Sequence, residues 1–243
     1  MFSFIWNALL KTPLLNLLFL LTRLLGNNLG LGILAFTVFL QLALTPLRLP
    51  QLKSAQKLKN IKPELDGLKD KHGNDRQALA LAQMEVYKKH GVNPLGGFVP
   101  TIVSLVVLIA LYRVLFEVIS ATDIAVINSR LYFDFLKLPD ISSLKTSFLW
   151  LDVGKPDPYF ILPIMVGVTQ WLVTKTMAGG QPTGIAKEGE EGKDDIMQAM
   201  QGQMQFLFPI MTALITARLP AGVSLYWIVS VVFSIIQNYI ALS

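Results

Sequence analysis

The chain has 243 residues, 53% of them hydrophobic and only 15% charged, with a mean hydropathy of +0.52, whereas soluble domains carry about 25% charged residues. The apolar residues come in runs long enough to cross a bilayer, which excludes a soluble globular domain and points to a polytopic membrane protein. There is no cysteine, so disulfides, thiolate metal sites and a cysteine nucleophile are excluded, and the net charge of +5 matters through its placement.

Segment 1–27 is apolar but interrupted by Asn7, Lys11, Pro13, Asn16 and Arg23. Its unbroken part, Leu17 to Leu21, is too short to span. Leu14 to Leu25 is therefore expected to be an amphipathic helix lying in the interface on the external side, with Asn16 and Arg23 toward the headgroups. A spanning signal anchor is the alternative. The break Gly26-Asn27-Asn28 opens the first span, 28–48, and Pro46 and Pro50 bracket its end.

Segment 49–93 is charged. Leu58, Ile61, Leu65 and Leu68 recur at helical spacing, as do Leu79, Ala82 and Val86 after the Gly73-Asn74 break, so an amphipathic helical hairpin is expected. Its basic residues are Lys53, Lys57, Lys59, Lys62, Lys69, Lys71, Arg76, Lys88 and Lys89, nine of the chain's 21 Lys and Arg. By the positive-inside rule the hairpin is cytoplasmic and the amino terminus external. Its basic face is either a recruitment surface for clients or anionic headgroups, or simply a solvated face. Gly91-Val92-Asn93-Pro94 reads as the hinge that ends it.

The second span is 94–120, and 121–158 is an external segment. The third span is 159–177, followed by a Gly- and Glu-rich cytoplasmic loop, 178–203. The fourth span, 204–218, is short: Met204 to Ala217 at 1.5 Å per residue covers about 21 Å of a core about 30 Å thick. An external turn and the fifth span fill 219–243, leaving the carboxyl terminus inside. Trp150 and Tyr159, Tyr226-Trp227 and Trp171 fit aromatic belts. The fold class is thus an all-α membrane protein with a five-helix transmembrane core, a cytoplasmic hairpin and an interfacial amino-terminal helix.

Polar side chains recur inside these spans: Thr37, Gln41 and Thr45 in the first, Thr101 and Ser104 in the second, Thr169 and Gln170 in the third, Ser234 in the fifth. Hydrocarbon offers such groups no partner, so they suggest a wet bundle interior. Thr37, Gln41, Thr45, Thr101, Ser104, Gln170 and Ser234 are placed on the wall of a hydrophilic groove. The alternative is interhelical hydrogen bonding, worth about 0.6 kcal/mol each. Catalysis lacks residues to carry it. His72 and His90 sit at hairpin helix ends, and no span interior holds Asp or Glu. Glu117 and Arg113 are expected to pair at i, i+4. No metal or other cofactor is expected.

Several segments resemble the YidC/Oxa family of membrane protein insertases, bacterial branch. They are Tyr87-Lys-Lys-His-Gly-Val-Asn-Pro-Leu-Gly-Gly, Ala110-Leu-Tyr-Arg, Phe148-Leu-Trp-Leu-Asp-Val-Gly-Lys-Pro-Asp-Pro-Tyr-Phe-Ile-Leu-Pro-Ile, Phe206-Leu-Phe-Pro-Ile-Met and Leu219-Pro-Ala-Gly-Val-Ser-Leu-Tyr-Trp-Ile-Val-Ser. The resemblance implies an insertase and chaperone of a prokaryotic plasma or inner membrane. It implies a groove open to cytosol and lipid but closed outside, and insertion of client helices without ATP. Nascent membrane proteins and the bilayer are the implied partners, with the Sec translocon and the ribosome as candidates, no specific nucleic acid, and action as a monomer. Where the family usually has an arginine, five residues before Pro46, this chain has Gln41. Arg48, two turns on, is either its substitute in the groove or a snorkelling anchor. With the last span ending at Ser243, a tail-mediated ribosome contact is not expected. The rivals are a secondary transporter, against which an odd number of spans without an internal repeat speaks, and a non-inserting assembly scaffold.

Overall fold

The computed structural model describes residues 6–72, 75–92, 98–121, 123–177 and 207–242. The loop expected at 178–203, the Gly73-Asn74 break and the hinge residues Asn93 and Pro94 lie outside them. The described chain is predominantly helical: a π-helical turn Asn7–Lys11, then α1 (Thr12–Leu24), α2 (Leu29–His72), α3 (Arg76–Lys89), α4 (Phe98–Ser120) and the short α5 (Ile124–Asn128). After a two-stranded hairpin, β1 (Ser147–Phe148) and β2 (Leu151–Asp152), come α6 (Ile161–Met177), α7 (Leu207–Thr216) and α8 (Ala221–Leu242).

The helix ends follow local chemistry. α1 stops where Gly26 and Asn27 take left-handed backbone (φ 73° and 59°), and the Asn27 N–H closes back on Thr22 O at 2.9 Å. Asn28 then caps α2, its Oδ1 accepting the Leu31 N–H. The end of the first span is not a helix end. α2 runs through Pro46, Pro50 and Pro63 for 44 residues, so span and first hairpin arm are one rod. Pro46 and Pro50 cannot donate to the carbonyls of Leu42 and Pro46. Both of those residues are exposed, so no freed carbonyl is trapped in a packed core.

The rod carries two separate cores. In the hairpin, Leu58 and Ile61 of α2 bury against Val86 of α3, with Leu65, Leu68 and Tyr87 packed around them. Leu79 and Ala82 are only half-buried. Asp75 Oδ1 accepts the N–H groups of Gln77 and Ala78 to start α3. Gly91, at φ 60°, ends it and turns Val92 back into the same core.

The main core lies at one end of the bundle. Leu29, Ile33 and Phe36 of α2 meet Leu111, Val114, Leu115 and Val118 of α4, Leu162 and Val166 of α6, and Val223 and Leu225 of α8. The connecting segment seals this end. Lys145 exchanges backbone hydrogen bonds with Asn27 and Leu29, and the N–H groups of Ala221 and Gly222 reach Lys155 O and Val153 O at 2.8 and 3.0 Å. Gly222 is required there, because a Cβ would stand 2.8 Å from Ile33 Cδ1 and 3.2 Å from Val153 O.

α1 is packed onto this closed end by Leu15, Leu18, Phe19 and Thr22. Asn16 does not face headgroups. It is 6% exposed, donates to Arg130 O and accepts the Tyr132 N–H at 2.7 Å, pinning α1 to the connecting segment. With a further bond to Thr12 O at 2.9 Å, the buried amide has both donors used and its oxygen accepting once. Arg23 is exposed. Glu117 does not pair with Arg113; its carboxylate sits between Lys11 and Arg130.

Candidate functional site

Burial is unequal along the bundle. The last buried residue of α2 before the hairpin is Gln41, and the buried residues of α8 stop at Ile228. Among the described residues, those of α6 stop at Val166 and those of α4 lie between Val107 and Val118. All belong to the sealed end. Beyond them the described side chains of α2 up to the hairpin, and those of α6 and α8, are at most half-buried.

Polar residues of α2 and α8 fall on two matched stripes that run from the packed half into the less buried one. Thr37, Gln41, Thr45 and Arg48 recur at i, i+4, i+8 and i+11 on α2, and Tyr226, Ser230, Ser234 and Gln237 repeat that spacing on α8. Each stripe occupies one helix face. Both helices run away from the sealed end, so the stripes meet in register. Gln237 Nε2 donates to Thr45 Oγ1 at 2.7 Å, and Arg48 Nη1 donates to Ser234 Oγ at 3.2 Å. Ser234 Oγ passes its own proton to Ser230 O at 2.9 Å. Thr45, Arg48, Ser234 and Gln237 are all half-buried.

The expected wall residues divide accordingly. Thr37 is fully buried, and its hydroxyl is spent on Ile33 O at 2.6 Å, one turn back on its own helix. Thr37 therefore stands in the packed half. Gln41 marks the boundary. It is 1% exposed, and its Oε1 has no hydrogen-bond partner among the described residues. A buried amide oxygen left without a donor costs on the order of 1–3 kcal/mol, so it calls for water or a visiting donor. Thr45 and Ser234 face each other's helices across the seam, and Arg48 reaches into it rather than away from it. Gln170 is half-buried on α6 and accepts the Trp227 Nε1–H of α8 at 3.3 Å, a bond between helices. Thr169 donates back to Met165 O. Thr101 and Ser104 lie on α4, with their side chains outside the described residues.

Ser230 and Gln237 were missed from the sequence, although the i, i+4, i+8, i+11 repeat was available there. Tyr226 does not sit in an aromatic belt. It is 4% exposed within the bundle, while Trp227 is held by Gln170. Trp171 carries Lys175 Nζ 5.0 Å from its ring centre, a cation–π contact toward the carboxyl end of α6. On the hairpin, Lys53, Lys57, Lys59, Lys62 and Lys71 are exposed, and Lys89 and His90 both meet Glu64, at 3.1 and 2.8 Å. The side chains of Lys69 and Arg76 lie outside the described residues. No cluster of His, Cys, Asp or Glu suited to a metal ion occurs among the described residues.

Residues 20–243 match the family described as 60Kd inner membrane protein. The membrane protein insertase YidC of Fusobacterium nucleatum is 35% identical over 237 residues, covering 98% of this chain and 96% of that protein. The chain belongs to the YidC family of membrane protein insertases. Two Bacillus members are also similar. Membrane protein insertase YidC 2 of Bacillus anthracis is 32% identical over 240 residues, 97% of this chain and 80% of that protein. MisCA of Bacillus subtilis is 30% identical over 239 residues, 97% and 78% of the two chains. As a YidC-family member this is an inner membrane protein, and α2 and α8 are each long and apolar enough to cross the bilayer.

Proposed function

We propose that this chain inserts client transmembrane helices into the bilayer through a hydrophilic groove between α2, α8 and their neighbours. The groove opens to cytosol and lipid, and its action needs no ATP. The observation that carries the reading is the coincidence of two features. The paired polar stripes of α2 and α8 continue beyond the point where burial lapses, and Gln41 marks that point with an unmet acceptor. A client's polar tail costs about 2.5–3.5 kcal/mol per charged residue at mid-bilayer. A wet recess reaching to Gln41 supplies hydrogen-bond partners over much of that path. The driving force is burial of the client's apolar helix in lipid, which requires no fuel.

In this arrangement Gln41 forms the roof of the recess, and Thr45, Arg48, Ser234 and Gln237 form its wall. The sealed end faces outward and the basic hairpin faces the cytoplasm, with amino terminus outside, carboxyl terminus inside, and a single chain sufficing. The exposed lysines of α2 recruit clients or anionic headgroups.

The test is insertion of a short-tailed single-span client into proteoliposomes holding only the purified chain. Gln41→Leu is expected to slow insertion several-fold, and Gln41→Arg to retain it. Equal rates for wild type and Gln41→Leu would remove Gln41 from the path. Partner association without any insertion by the purified chain would make it an assembly scaffold instead.

A further inference from the structure

A second polar site lies at the opposite end of the bundle from the groove. A pocket of about 490 Å³ opens between the π-helical turn, the end of α4 and the start of α5. Its walls include Lys11, Arg113, Glu117 and Asp123, with Tyr112 and Phe116 as apolar flanks. Phe116 is 56% exposed, so the pocket opens on a surface that an apolar chain can cover.

The charges here are not balanced. Glu117 is shared by Lys11 and Arg130. Asp123 uses Oδ1 to accept the Ala125 N–H at 2.8 Å, capping α5. Arg113 has no carboxylate partner among the described residues; its guanidinium lies 5.5 Å from the centre of the Trp6 ring. The lining itself carries two cations and two carboxylates, and Arg130, bonded to Glu117 from outside the lining, brings the group to one net positive charge. The planar fork of guanidinium N–H donors matches a phosphate oxygen pair.

Location supplies the ligand. α4 is a 23-residue apolar helix, and Arg113, Phe116 and Glu117 lie in its last turns, where a spanning helix meets the headgroup layer. Trp6 and Tyr112 beside them are the residue types that settle at that level. We infer that this pocket binds the phosphodiester of a membrane phospholipid, with Arg113 holding the phosphate oxygens and Phe116 and Tyr112 flanking the glycerol and acyl chains. The bound lipid would tie α1, α4 and α5 together at the sealed end, away from the client path. The inference stands independently of the insertase mechanism.

Native mass spectrometry of the purified chain tests it, after detergent exchange with phosphatidylglycerol, phosphatidylethanolamine, diacylglycerol or inorganic phosphate. The expected result is one retained phospholipid per chain, lost at least tenfold in Arg113→Gln and unchanged in Arg23→Gln. Diacylglycerol, which lacks the phosphate, is not retained. Equal retention by wild type and Arg113→Gln would overturn the proposal. Retention of diacylglycerol as strongly as phospholipid, or displacement of the lipid by inorganic phosphate, would overturn it from the wild-type protein alone.

Discussion

Asp157 shows how much one side chain can organise. It is 3% exposed, and its two carboxylate oxygens accept the N–H groups of Tyr159 and Leu162 at 3.1 and 2.7 Å, starting α6 while Phe160 is held at φ 57°. Removing this cap leaves buried donors unpaired beside a strained residue. Asp157→Ala is expected to lower stability by about 1–2 kcal/mol, read as a fall in the thermal midpoint in detergent, with Asp157→Asn keeping most of it. The segment Asp157-Pro158-Tyr159 was visible in the sequence as part of the family resemblance, but its capping role was not. Asn16 teaches the same point. An asparagine amid leucines reads as a headgroup contact until the fold brings Arg130 O and the Tyr132 N–H to it.

At the scale of elements, close helix packing depends on small residues that sequence periodicity does not single out. A Cβ on Gly32 would overlap the Thr22 hydroxyl, so α1 lies against α2 only because that position is glycine. Gly32→Ala is expected to cost about 1–3 kcal/mol by overpacking. Thr22→Ala removes the hydroxyl contact but leaves the residue's Cβ and Cα at 2.9 and 3.0 Å, so the double variant should recover only part of the loss, a coupling measurable as non-additive thermal shifts. The hairpin arms are clipped by Glu64, whose carboxyl Lys89, and then His90, hold below its ordinary value of 4.5. A depressed carboxyl pKa contributes stability that is present above the unfolded value and lost as pH falls through the folded one. The carboxyl end of α3 should therefore loosen from α2 as the pH falls below 4.5, while the Leu58, Ile61 and Val86 core keeps the arms together. Distances between spin labels on α2 and α3 would report it, and Glu64→Gln should abolish the pH dependence. Helix existence was legible throughout this region. The continuity of α2 through Pro46 and Pro50 was not, because proline signals a lost hydrogen bond and only the fold shows whether the freed carbonyl is stranded.

Over the whole molecule the central feature is the contrast between a packed end of the bundle and an opposite end where the described side chains of α2, α6 and α8 are at most half-buried. The chain's lack of cysteine gives a clean background for testing it. A cysteine introduced at Ser234 or Gln237 is expected to react with a membrane-impermeant maleimide supplied on the hairpin side, whereas one at Thr37 is expected to resist. Equal protection of all three would mean that the seam between α2 and α8 is dry in the bilayer. The placement of Lys53, Lys57, Lys59, Lys62 and Lys71 on one exposed stretch of α2 gives that side its charge, and this much the sequence carried alone.

Composition, apolar run lengths and the ordered family segments determined that this is a helical membrane protein and an insertase relative, because those properties are sums over many residues and survive any one misreading. Which polar residues share a site was decided only by tertiary structure. A threonine at position 37 and one at position 45 look alike in sequence, and both hydroxyls bond their own helix, yet only Thr45 also accepts a hydrogen bond from another helix, from Gln237. The free energy of a polar group in a membrane depends on what surrounds it, and that is set by where neighbouring helices pack and where they part.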